Sequence, residues 1–188
     1  MGVGLILLVA LVGIGVAALS WWVTTYNGFV RMQQGVKSAW SQIDVQLKRR
    51  HDLIPNLVES VKGYMAHERG TLENVIKARN QAVGATGIAD KAQAENMLTQ
   101  TLRSLFAVVE RYPDLKANQN MMALQEELTS TENKISFARQ FYNDQAARFN
   151  AAVESVPANT VASAGGFAKV EFFKLDDASE RQVPQVKF

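Results

Sequence analysis

The start of the chain is almost entirely apolar, and this pattern predicts a membrane-spanning helix. Residues 1–30 contain no Asp, Glu, Lys, Arg or His. A helix of about 22 residues, at about 1.5 Å per residue, just crosses a hydrocarbon layer about 30 Å thick. We therefore expect a transmembrane anchor over residues 1–24. The residues expected at the membrane–water interface are Trp21, Trp22, Tyr26 and Arg31.

A cleaved secretory signal is the alternative for this segment, because Ala18-Leu19-Ser20 resembles a small-residue cleavage site. Signal peptides carry positive charge before the apolar run, whereas this chain offers only its terminal amine, so retention is favoured. The positive-inside tendency places the soluble part in the cytoplasm, with extracytoplasmic placement still open. That tendency follows from the residues after the span, where only Asp44 opposes Arg31, Lys37, Lys48, Arg49 and Arg50.

After the anchor, apolar residues recur at alternating spacings of four and three, as in long helices that pack side by side. The first series predicts a helix from the membrane to about Ala82, with Arg50 as its polar interruption. Pro55 predicts a kink near Leu53, and a break is expected near Gly70. The series consists of Val36, Trp40, Ile43, Leu47, Arg50, Ile54, Leu57, Val61 and Tyr64.

Two further series predict two more helices. The second helix is expected to start at a capping pair of Asp90 and Gln93 and to end before Pro113. The third covers residues 121–156. The predicted fold is all-α: a transmembrane helix continuing into an elongated antiparallel bundle of about three long helices over residues 25–157.

The C-terminal tail, residues 158–188, differs in character from the helical part. Apolar residues cluster at Phe167–Phe173 and again at Val183–Phe188, with a turn-like segment between them. We expect two short strands that form a β-hairpin.

Several multi-residue blocks follow one another in a defined order. They are AWSQIDVQLKRRHDLIPNLV at 39–58, YPDLKAN at 112–118, Thr131-Glu132-Asn133, Ala138-Arg139, Tyr142-Asn143, Gly166-Phe167 and the ending Pro184-x-Val186-x-Phe188. Together with the apolar N-terminus, these blocks resemble the bacterial LemA family over nearly the whole chain. The resemblance implies a single-pass bacterial membrane protein with an elongated helical soluble part. It implies no settled activity, and it suggests a membrane-embedded metallopeptidase or a signalling protein as a partner.

The chain shows no catalytic pattern, so neither enzymatic activity nor a cofactor or metal is expected. It has no cysteine, and His67-Glu68 is followed by Thr71 where a zinc-binding helix of the His-Glu-x-x-His type needs a second histidine. A metal centre at His51 is a minor alternative. The 20 basic and 18 acidic residues nearly balance, and the basic excess lies beside the span. This charge distribution favours lipid headgroups over nucleic acid.

Charged residues on or beside the apolar stripes carry a second prediction. An unpaired buried charge is costly, so we expect ion pairs across helices, such as Arg50 or Arg79 with Glu132. The alternative is that these side chains extend to solvent at the edge of the stripe. The four residues concerned are Arg50, Arg79, Glu132 and Arg139.

The expected function is that of a self-associating membrane scaffold, with the lipid bilayer and a second copy of the chain as partners. The residues expected to pack helices together or to join copies are Gly13, Ala17, Trp40, Ile43 and Leu47. The alternative is an adaptor that presents its turn at Asp114 and Lys116, or its C-terminal Phe188, to a membrane protease or signalling protein.

Overall fold

The computed structural model describes residues 2–65 and 68–174. This part of the chain is helical and contains no β-strand, so the all-α prediction is confirmed. His67 and Phe188 lie outside the described residues, as do the predicted second strand and its turn. The helices are α1 (Gly2–Lys62), α2 (Arg69–Gly84), α3 (Ile88–Val109), α4 (Pro113–Lys116), α5 (Gln119–Glu154) and α6 (Ala158–Ala164).

Two compact units divide the chain. The first unit consists of Met1–Trp40 and Phe141–Val170, and the second is built mainly from Ser41–Gln140. Helices α1 and α5 each contribute residues to both units.

The core of the second unit forms where α1, α2, α3 and α5 bury their apolar stripes. Burying each large apolar side chain contributes about 1.5–3 kcal/mol, which makes these stripes the main source of stability. The predicted spacing marks the buried positions on α1 well, although Tyr64 is exposed and its neighbour Met65 is buried instead. Members of this core include Ile54, Leu57, Val61, Met65, Leu72, Val75, Leu98, Leu105, Met121 and Leu128.

The prediction of one helix reaching Ala82 is wrong. Helix α1 ends at Lys62, a turn follows at Gly63, and α2 begins at Arg69, so the helix breaks just before Gly70, near the expected position. Glycine lowers helix propensity, and ending α1 at this point lets α2 share a core with it. Pro55 lies within α1, which continues past it for seven residues to Lys62.

The predicted capping pair at the start of α3 is also wrong. Gly87 is the N-cap residue, and its side chain makes no capping hydrogen bond. Its φ of 86° lies in the left-handed region, which glycine adopts without strain. The helix can therefore begin earlier than expected, with Asp90 in its first turn, where a negative charge is favourable.

Two short helices were not predicted. Helix α3 ends at Val109, before Pro113 as predicted, and Pro113 then begins α4, because proline fits the first helical position well. Helix α6 lies in the segment assigned to the tail, and it buries Val161 and Ala162. Residues 167–174 form no strand, so the first predicted strand is wrong.

The core of the first unit is aromatic. The ring of Phe167 stacks on Phe29 at a centroid distance of 5.2 Å and meets the edge of Tyr26 at 5.3 Å. Asn150 holds the segment after α6, because its side chain both donates to and accepts from the backbone of Val170, at 2.9 Å each. Residues 165–170 are thus fixed by packing and side-chain hydrogen bonds instead of strand pairing.

Candidate functional site: a buried charged cluster

A polar layer interrupts the apolar core of the second unit. Each of three helices places one polar residue where its stripe calls for an apolar one: Arg50 on α1, Glu95 on α3 and Thr131 on α5. Their exposed fractions are 1%, 0% and 0%. Buried charges of this kind persist in proteins only when they are paired, so their partners define the site.

Arg50 is the centre of the cluster. Its Nη2 donates to Oε2 of Glu95, and its Nη1 donates to Oε2 of Glu132 at 2.5 Å and to Oγ1 of Thr99 at 3.0 Å. One guanidinium therefore joins α1 to α3 and α5. The Glu132 side chain is 42% exposed, so this end of the cluster reaches solvent.

His51 forms a hydrogen bond with the other carboxylate oxygen of Glu95. Its Nε2 lies 2.8 Å from Oε1 of Glu95 and donates to it, since an ionised carboxylate only accepts. Nε of Arg79, on α2, donates to the backbone carbonyl oxygen of His51 at 3.3 Å. The polar network thereby includes all four helices of the core.

Glu95 is ionised because of these partners. Burial raises the pKa of its carboxyl group, but the hydrogen bond from His51 and the positive charge of Arg50 outweigh burial, and the pKa lies below its usual value. A folded-state pKa below the unfolded one stabilises the fold above the unfolded pKa. That stabilisation is lost as the pH falls through the folded-state pKa.

The cluster is not fully satisfied by protein atoms. Among the described residues, Nε of Arg50 and Oγ1 of Thr131 are buried without a hydrogen-bond partner. Each such atom costs about 1–3 kcal/mol if it remains dry.

The geometry of the charged cluster favours a structural role over a catalytic one. Both oxygens of Glu95 already hold protein donors, and neither Glu95 nor Arg50 is accessible to a substrate. In the described ranges, no group of three or more acidic, histidine or cysteine side chains is arranged to hold a metal ion. A closed set of paired charges fixes the register of helices against one another, because a shifted register would leave a charge buried alone.

The structure brings only part of the predicted polar set together. Arg50 contacts Glu132, whereas Arg79 contacts the His51 backbone and the side-chain oxygen of Asn80. Arg139 has interaction partners of its own.

Sequence reasoning missed Glu95, which accepts the hydrogen bonds from both Arg50 and His51. It lies three residues before Leu98 in the α3 stripe, and this position could have revealed it.

The residues predicted at the membrane and at the turn are all on the surface. The N-terminal part of α1 is long and apolar enough to cross a membrane, by length and composition. A Cβ atom at Gly13 would meet no atom within 4 Å, and Ala17 is also exposed. Trp21, Trp22 and Tyr26 are about 40% exposed. Arg31, Asp114 and Lys116 are exposed as well.

The remaining predicted packing residues face inward. Ile43 and Leu47 are 0% and 1% exposed within a single chain, and Trp40 is half-buried against Tyr142, at a ring-centroid distance of 5.4 Å. These three side chains therefore pack helices of the same chain. A contact between two copies needs other residues, such as the exposed Gly13 and Ala17.

Comparison with known proteins gives a consistent family. The model of the LemA family matches residues 39–188. Magnetosome protein MamQ of Magnetospirillum gryphiswaldense is 27% identical, over 94% of this chain and 76% of the relative. Magnetosome protein MamQ 2 of Paramagnetospirillum magneticum is 24% identical, over 84% and 68%. Protein LemA of Metamycoplasma hominis is 27% identical, over 80% and 69%.

Proposed function

Since this chain belongs to the LemA family, we propose that it is a membrane-anchored helical scaffold whose copies associate through the anchor helix. The observation that carries this proposal is α1 itself. One continuous helix, Gly2–Lys62, contains both the lipid-compatible segment and the residue at the centre of the charged cluster. An element of this kind ties a folded helical core directly to a bilayer.

The anchor offers a surface for association between copies. Gly13 and Ala17 are four residues apart on α1, and none of the residues that the structure describes covers them. Pairs of small residues at this spacing let two membrane helices approach closely, and van der Waals packing then drives their association. Confinement to a membrane plane raises the local concentration and favours this contact further.

Exposed large apolar side chains also occur outside the anchor. Phe137 on α5 is 73% exposed and Val45 on α1 is 60% exposed. When large apolar side chains in water form a contiguous patch, the patch is typical of a protein-binding or membrane-binding surface. Both belong to the second unit, which has its own buried core.

The experiment compares two glycines of the same span. Gly13→Ile is expected to lower the dimer association constant of full-length protein in liposomes at least about tenfold, a loss of about 1.4 kcal/mol. Gly15→Ile is the matched control, because position 15 lies about 200° around the helix from position 13. Energy transfer between labelled copies over a series of protein-to-lipid ratios measures the dimer. A protein that is monomeric at every protein-to-lipid ratio would refute the proposal. Equal effects of both variants would show that the contact between copies does not involve the face of Gly13.

We also propose a cytoplasmic soluble part, because basic residues dominate the stretch after the span. Protease added to intact cells and to spheroplasts should then leave the C-terminal region uncut until the cells are lysed. Cleavage in spheroplasts would place the soluble part outside.

The second candidate function is an adaptor for another membrane protein. An open groove of about 700 Å³ between α1 and α2 favours it, with Ile54, Leu72 and Ile76 among its apolar lining residues. The exposed turn at Asp114 and Lys116 is a further surface for a partner. Cross-linking in native membranes separates the two functions, since the scaffold requires that the main neighbour of the chain is a second copy.

A further inference from the structure

The register of α1 against α5 in the first unit is fixed by three contacts. As residue numbers fall along α1 from Trp40 to Phe29, those of the partners on α5 rise from Tyr142 to Phe149, so the two helices run antiparallel. The contacts are Trp40 with Tyr142 at 5.4 Å between ring centroids, the Cβ position of Gly35 with Oε1 of Gln145 at 3.4 Å, and Phe29 with Phe149 at 6.4 Å between ring centroids.

This register can be continued to the end of α5. Five residues beyond Phe149 the helix ends at Glu154, and continuing the progression of these contacts places Glu154 level with the part of α1 between Trp21 and Thr24. The corner between α5 and α6 therefore lies beside the place where the apolar part of α1 ends, near Trp22.

The chain returns to α1 just after α6. A Cβ atom at Gly165 would lie 3.0 Å from the ring of Tyr26, and the Phe167 ring packs against Tyr26 and Phe29. The segment that lies nearest the anchor is consequently the corner and the start of α6.

The composition of this segment matches a lipid interface. Residues 155–168, SVPANTVASAGGFA, contain no charged residue and no histidine. The charges that flank it, Glu154 and Lys169, pair with each other at 2.6 Å. Val156, at the corner, is 82% exposed, more than any large apolar residue of the anchor.

We infer that this corner, residues 155–158, rests in the interfacial layer of the bilayer that α1 crosses, with Val156 inserted among the lipids. The inference rests on the proposed anchoring and adds to it a second membrane contact. An uncharged corner can enter this layer, whereas each charge would resist transfer from water. Contact at two elements, α1 and the corner, fixes the rotation of the first unit about the anchor axis.

The test uses the natural absence of cysteine in the chain. Full-length variants Val156→Cys, Ile14→Cys and Phe141→Cys are each labelled with an environment-sensitive fluorophore and reconstituted in phosphatidylcholine–phosphatidylglycerol liposomes. Position 14 reports the anchor. Position 141, which is 45% exposed and lies in the same unit, reports a surface away from the lipid.

The expected result is blue-shifted emission at position 156, with strong quenching by lipids that carry a nitroxide near the headgroup, and neither effect at position 141. Quenching at 14 without quenching at 156 overturns the inference and leaves the anchor intact. A blue shift at 156 without lipid quenching also overturns it, because a protein surface then covers the corner. Absence of quenching at position 156, together with absence of quenching at position 14 by lipids that carry the nitroxide deep in the acyl chain, refutes the anchoring as well.

Discussion

The exchange Glu95→Gln tests the buried charged cluster most directly. It keeps the shape of the side chain and removes its charge. Arg50, at 1% exposure, then retains Glu132 and Thr99 as partners, and Glu132 is partly in solvent. Removing one partner of a buried ion pair costs about 3–5 kcal/mol, and because Glu132 remains we expect a loss near about 3 kcal/mol.

The matched control is Asp52→Asn, also an exchange of an acid for its amide. Asp52 pairs with Lys48 at 3.4 Å, and the two side chains are 60% and 78% exposed. Exposed pairs of this kind contribute about 0–1 kcal/mol, because water screens the charges and both side chains lose freedom. The expected change in the free energy of unfolding is correspondingly small.

Urea unfolding of the full-length protein in nanodiscs, followed by far-ultraviolet circular dichroism, measures both variants. A double-mutant cycle with Arg50→Met and Glu95→Met measures the coupling free energy between the two side chains. We expect about 2 kcal/mol, because each single variant leaves the other charge without this partner, whereas the double variant removes both charges. The reasoning is refuted if Glu95→Gln costs no more than Asp52→Asn, or if the effects of the two methionine variants simply add.

Three further predictions concern the charged cluster and the packing of the first unit. Because the pKa of Glu95 is lowered in the folded state, stability should fall as the pH drops below the ordinary glutamate pKa and on through the lower folded-state pKa, and Glu95→Gln should flatten this fall in urea midpoints. Gly165→Ala places a Cβ 2.6 Å from the Phe167 ring and should lower stability by about 1–3 kcal/mol, whereas Gly28→Ala, with nothing within 4 Å, should not. Asn150→Ala removes both hydrogen bonds to Val170, so hydrogen exchange at the Val170 amide should accelerate while that of the second unit stays unchanged.

Local patterns were sufficient to predict the helices but not the residue at which the first helix ends. The alternating spacing identifies Ile43, Leu47, Ile54 and Leu57 as core positions, and all four are buried. The break after Lys62 depends on α2 sharing a core with α1, a tertiary gain that helix propensity does not contain. The same limit applies to residues 165–170, where apolar composition suggested a strand and side-chain contacts with α1 and α5 decided otherwise.

The charged cluster could not be predicted from the apolar pattern of each helix taken separately. Arg50 is conspicuous because it interrupts a long apolar series, whereas Glu95 opens its series and is easily taken for a solvent-facing residue of the first turns of α3. Recognising the pair requires knowing that both residues are in one layer. That knowledge comes only from the register between helices.

The cluster also explains how a helical core can hold one arrangement of its helices. Apolar stripes alone tolerate a slide of one helix along another, since one leucine replaces the next. If α3 slid by one step of its stripe, Leu98 would take the place of Glu95 against Arg50, leaving a buried cation without its main partner. We expect this slide to cost several kcal/mol, which favours the observed register over it. Arg50 lies on α1, so the register of the core is defined relative to this helix, a feature that suits the proposed scaffold.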